Sequence, residues 1–151
     1  MSLGRQLDVG LAPGPVRSER EGATAEVDVE DVDRLGVRVR SLRVTGASPV
    51  GIRAHTDRLP DALRVLPDRV VPVEVAPTLG GAVLRSHPAQ VRDREYFEVR
   101  TDGRAVDVER VRSGDAGREA IGFTLTREQL RRLVDDLEGS FEDTGRHALR
   151  P

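Results

Sequence analysis

A chain of 151 residues, 37% hydrophobic and 33% charged, has the balance of one soluble globular domain, long enough to bury a core without disulfides or metals to staple it. Its 24 basic and 26 acidic residues leave a formal net charge of -2, which excludes a global field drawing the chain to nucleic acid or to an anionic membrane. No apolar run approaches the roughly 18 to 20 residues of a spanning helix, the N-terminus lacks a signal peptide's apolar core, and cysteine is absent, so a cytoplasmic protein without membrane contact is expected.

Residues 1–22 carry Pro13-Gly14-Pro15 and the charged run Arg17 to Glu21, a pattern that predicts a flexible arm with at most a short strand near Leu7 to Leu11. Glu26 to Glu30 alternates carboxylate and valine at the two-residue period of a half-buried strand. Val37 to Arg40 alternates too, then the phase slips by one to Leu42 and Val44, which predicts a bulge near Arg40 and Ser41. Val50 to Ala54 reads as a third strand. A helix is expected from Thr56 or Asp57 through Leu59, Ala62, Leu63 and Leu66, with Pro60 in its first turn.

Val70 to Val75 is a strand that Pro72 assigns to an edge, Gly80-Gly81 a turn, and Ala82 to Arg85 a short strand. Tyr96 to Arg100, the hairpin turn Asp102-Gly103 and the valines 106, 108 and 111 follow, then a loop at Ser113 to Gly117 and a last strand at Glu119 to Thr124. Thr126 with Gln129 makes a capping box, and Leu130, Leu133, Val134 and Leu137 form one helical stripe ending near Gly139. Residues 143–151 have no periodicity and read as a tail.

Setting Gly51 against Gly122 aligns Ile52 with Phe123, Leu59 with Leu130, Leu63 with Val134 and Leu66 with Leu137. Upstream, Val37, Val39 and Leu42 match Val106, Val108 and Val111, phase slip included. The expectation is therefore an α+β fold within residues 23–142. It would be an antiparallel sheet with two helices on one face, built from a strand-strand-strand-helix unit duplicated over 23–76 and 82–142.

Chemistry is harder to find. His55, His87 and His147 have no Cys or second His at a metal-ligand spacing, no nucleophile elbow exists, and Ser113 to Gly117 and Gly80-Gly81 match no phosphate-binding loop. The run Asp28 to Asp33 lacks the glycine and closing glutamate of a calcium loop. Its alternation sets Asp28 and Glu30 outward, where Arg38 and Arg40 of the next strand would pair with them. No catalytic residue, metal or cofactor is expected.

The passage Gly122-Phe-Thr-Leu-Thr-Arg-Glu-Gln-Leu130 resembles the last strand and helix of the positive-coactivator family of single-strand-binding proteins, and the similar whirly family is built from two tandem sheet-plus-helix units. The resemblance implies a sheet face that binds single-stranded nucleic acid, here through Arg34, Arg38, Arg40 and Arg43. Composition and spacing point instead to a non-catalytic interaction or accessory domain, working on a protein partner or on itself through a charged sheet surface. Aromatics are only 3% and the arginines alternate with acids.

Overall fold

A computed structural model describes residues 1–86, 94–115 and 117–142. Period-two alternation sets the two faces of its sheet. In β2 (Ala23–Val32) and β3 (Gly36–Thr45), Ala25, Val27, Val29, Val37, Val39, Leu42 and Val44 are buried, and Glu26, Asp28, Arg38 and Arg43 between them are exposed. The phase slip is a pair of compensating irregularities. Asp28 pairs Ser41, Val29 pairs Val39 and Asp31 pairs Arg38, so Arg40 and Glu30 are each an extra residue in their strand.

The remaining strands are β1 (Gly14–Arg20), β4 (Val70–Ala76), β5 (Gly81–Ser86), β6 (Glu95–Thr101), β7 (Ala105–Gly114), β8 (Gly117–Ile121) and β9 (Phe123–Thr126). All belong to one open antiparallel sheet in the order β1-β2-β3-β7-β6-β5-β4. A three-strand meander (β1 to β3) and a four-strand meander (β4 to β7) thus meet at the β3–β7 junction. Beyond residues 41 and 109 those two strands part. β9 pairs β3 and β8 pairs β7, so what reads as one last strand is split at Gly122. A methyl group at Gly122 would overlap the side chains of Glu30 and Arg38, which fill the fork.

The helices α1 (Leu3–Val9), α2 (Ile52–Ala62) and α3 (Arg127–Gly139) pack their apolar residues into one core with the inner face of the sheet. In α3 the capping box is complete: Thr126 Oγ1 accepts from the Gln129 amide at 3.0 Å, and the Gln129 side chain accepts from the Thr126 amide at 2.9 Å. Leu130, Leu133, Val134 and Leu137 are all buried beside Leu59, Leu63 and Leu66.

Four expectations need correction. Residues 1–22 are not a free arm: Leu3 and Leu7, one turn apart, are fully buried, Gly4 lies against the backbone of Arg131, and β1 pairs β2 along its length. The apolar signal of a two-turn helix is two leucines, too short to register as periodicity. Val50 to Ala54 is not a strand, and α2 starts at Ile52 with Pro60 inside it. Pro60 sits near the C-terminal end of this helix, where it gives up the bond to the Thr56 carbonyl and its ring crowds the preceding turn. The second phase slip is absent, because β7 runs against β6 in unbroken register from Glu95↔Arg112 to Thr101↔Val106. Arg110 therefore takes the inner-face position, its guanidinium 4.7 Å from the Phe97 ring centroid and its Nε 3.5 Å from Glu95, and Val111 turns to the other face. Among the described residues the helices on the inner face number three, α1 having been missed.

Candidate functional site

Because the described helices occupy one side, the outer face of the sheet is open among the described residues, and cross-strand register arranges its side chains in rows. One row runs Arg17, Glu26, Arg43, Asp107, Arg100 and Val83 across β1, β2, β3, β7, β6 and β5, alternating in sign through its first five members. Arg43 NH1 donates to both oxygens of Asp107, at 3.0 and 2.8 Å, and Arg17 Nε lies 3.6 Å from Glu26. The neighbouring row runs Pro15, Asp28, Ser41, Glu109, Glu98 and Arg85, and it is rich in acids.

Glu98 is 3% exposed although it faces outward. Arg85 at 3.1 Å, Arg100 at 3.4 Å and Arg118 at 2.5 Å close over it. Burial pushes the Glu98 carboxyl up, but the hydrogen bonds from Arg118 and Arg85 and the charge of Arg100 outweigh this and hold it below the ordinary range. This cluster draws residues from three strands. Arg85, Glu98, Arg100 and Arg118 were not singled out in the sequence, where the only signal is a glutamate and an arginine in outward phase on one strand.

Two contiguous depressions mark the open face. One of about 600 Å³ is walled by Pro15, Arg17, Asp28, Ser41 and Glu109, and one of about 300 Å³ by Glu74, Leu79 and Val83; Arg43, Arg100 and Asp107 line both. Every arginine lining them is engaged by an acid: Arg17 by Glu19 and Glu26, Arg43 by Asp107 and Arg100 by Glu98. Asp28, Glu74 and Glu109 have no ion-pair partner among the described residues. Leu79, 85% exposed, stands at the rim of the smaller depression.

The four arginines expected to contact nucleic acid do not converge on a free patch. Arg38 and Arg40 meet on Glu30, at 3.0 and 2.9 Å, brought there by the paired irregularities in β2 and β3. Arg38 is spent further on Thr124 Oγ1 at 3.3 Å and the Gly122 carbonyl at 3.2 Å. Arg43 holds Asp107, and Arg34 is exposed in the β2–β3 turn. Of the expected cross-strand pairs, Glu30 takes both arginines, whereas Asp28 stands opposite Ser41.

His55 lies on the inner side, wholly buried between α2, β6 and the end of α3. Its Nδ1 is 2.7 Å from Thr101 Oγ1, its Nε2 is 2.8 Å from Ser140 Oγ, and Phe141 stacks on the ring at 4.2 Å. Ser140 Oγ donates to the Leu137 carbonyl at 2.6 Å, so it accepts from His55 Nε2–H; Thr101 Oγ1 accepts from the Gly103 amide at 2.9 Å and gives its own proton to Nδ1. Both ring nitrogens of a neutral imidazole are thereby used. Burial, then the charge of Arg58, pushes its pKa from 6.5 down to about 4, against a weaker upward pull from Asp102. His87 and His147 lie outside the described residues. Comparison with protein-family models, with curated proteins and with solved structures returns no match to this chain.

Proposed function

We propose that the chain is a non-catalytic binding domain whose working surface is the open face of the sheet and whose partner is another protein. The observation that carries this reading is the pair of depressions joined at Arg43, Arg100 and Asp107 on a face that no described helix covers. The buried histidine of α2 supports it from the other side, since both nitrogens of His55 are committed to neighbours and neither can serve a ligand. Engagement of Arg38, Arg40 and Arg43 by acids weighs against the single-strand-binding alternative, which needs cations free to displace counterions from phosphate.

The test is a photo-crosslinking amino acid placed at Ser41, inside the larger depression, and separately at Asp61, on the exposed side of α2. Irradiation in the cells that make the protein should yield a discrete adduct from position 41 and none from position 61. No adduct from 41, or the same adducts from both, would overturn the reading. Tight binding of a labelled single-stranded oligonucleotide that weakens steeply with salt would put the nucleic-acid reading in its place.

A further inference from the structure

Resting on that reading, we propose that the open sheet face takes an extended polypeptide segment bearing lysine or arginine side chains, laid across the strands along the row Pro15, Asp28, Ser41 and Glu109. The argument is one of charge complementarity. In the adjoining row each arginine already holds an acid, so among the described residues this face has no cation left to offer an acidic or phosphorylated partner between β1 and β7. The carboxylates of Asp28 and Glu109 are the groups left unmatched by any described residue, and Ser41 between them adds a hydroxyl that can donate or accept.

Geometry sets the size of the segment. β1 to β7 is three inter-strand steps, ~14 Å, which about four or five extended residues span; β2 to β7 is two steps, so the two carboxylates would receive basic side chains ~10 Å apart. Pro15 gives the depression an apolar wall that the aliphatic stem of a lysine or arginine can cover while its charged end reaches the acids. The crossing direction also matters. A segment added along a sheet edge would bind through backbone amides and be indifferent to these side chains, whereas one laid over the face depends on them.

The probe is a fluorescein-labelled heptapeptide of alternating lysine and serine, titrated against the full chain by anisotropy at low and at physiological ionic strength. Saturable binding is expected, weakening as salt rises, and the Asp28→Asn/Glu109→Gln double variant should lose roughly tenfold or more in affinity, as truncating charged pairs at an interface does. Asp61→Asn, on the opposite side of the molecule, should bind as the parent does. Circular dichroism and the thermal midpoint establish that both variants are folded. No saturable binding by the parent, or equal affinity for the double variant, would overturn the proposal. The crosslinker at position 41 separates the two levels of the argument. If its adduct persists in the double variant, or has the mass of two copies of this chain, recognition of a foreign basic segment fails while binding at the face stands. If the parent gives no adduct, both fail.

Discussion

His55 should make the protein acid-labile in a way that can be isolated. Its ring has a pKa of about 4 in the folded chain against 6.5 ordinarily, so between those values the unfolded state binds the extra proton and the folded state does not. Stability therefore rises with pH across this window: the contribution is complete above ~6.5 and is lost progressively as pH falls toward 4. A separation of about 2.5 units at ~1.36 kcal/mol each makes the full effect ~3 kcal/mol, a large share of the ~5 to 15 kcal/mol of a typical domain. The structural reason is plain. A proton on Nδ1 would face Thr101 Oγ1, which already accepts from Gly103, and would put a charge under Phe141 where no described carboxylate touches the ring.

The assay compares urea unfolding of the parent and of His55→Leu from pH 7.5 to 4. Carboxylates and the other two histidines contribute to both proteins, so subtracting the curves leaves His55 alone. At pH 7.5 the variant should be the less stable, because Thr101 and Ser140 lose their partner, and the gap should narrow by ~3 kcal/mol toward pH 4. Parallel curves, with a gap that does not change with pH, would refute the buried neutral imidazole. Direct titration of the ring by NMR should return a pKa well below 6.5.

Three further outcomes follow from the packing. Leu133→Ala removes a fully buried side chain from the seam between α3 and the sheet and should cost about 2 to 5 kcal/mol in chemical denaturation; a near-neutral result would place α3 outside the core. Thr126→Ala breaks one half of the capping box and should cost ~1 kcal/mol, with Thr126→Ser restoring most of it. Glu98→Gln leaves Arg85, Arg100 and Arg118 crowded without their shared acid. Because those arginines are about half exposed, the loss at pH 7 should be only about 1 to 3 kcal/mol, and it should vanish in acid, since the parent loses the same contribution as pH falls through the depressed pKa of Glu98.

What could be read in advance divides along physical lines. The α3 passage was legible because cap, stripe and burial all depend on residues within one helix of each other, and each pointed the same way. The alternation in β2 and β3, the slip at Arg40 and the turn at Asp102-Gly103 were legible for the same reason. α1 was not. Its two leucines gain their meaning from α3, 130 residues away, where the Gly4 amide donates to Asp135 at 2.8 Å. α2 misled because Val50, Ile52 and Ala54 alternate with Gly51 and Arg53 at a strand's period of two, and Pro60 suggested a helix start, whereas it stands inside the helix. Val111 matched Leu42 in the sequence alignment, but one is on the outer face and the other on the inner, a difference that only the register of β7 against β6 decides.

The candidate site depends on register throughout, and this is why arginines chosen from one strand did not describe it. Alternation within a strand fixes which side chains face outward; it does not say which of them will be neighbours. Glu30 reaches both Arg38 and Arg40 because two extra residues swing it and Arg40 outward together, and Arg43 finds Asp107 because β3 lies against β7, 64 residues on. Once those pairs form, Arg38, Arg40 and Arg43 are spent, and the surplus on the face among the described residues is acidic between β2 and β7. A strand-by-strand count predicts a neutral surface, and indeed the formal charge is only -2. The two-dimensional arrangement on the sheet makes that near-neutral total into one saturated row and one unsaturated row, and the proposed basic partner answers to the chemistry of the second.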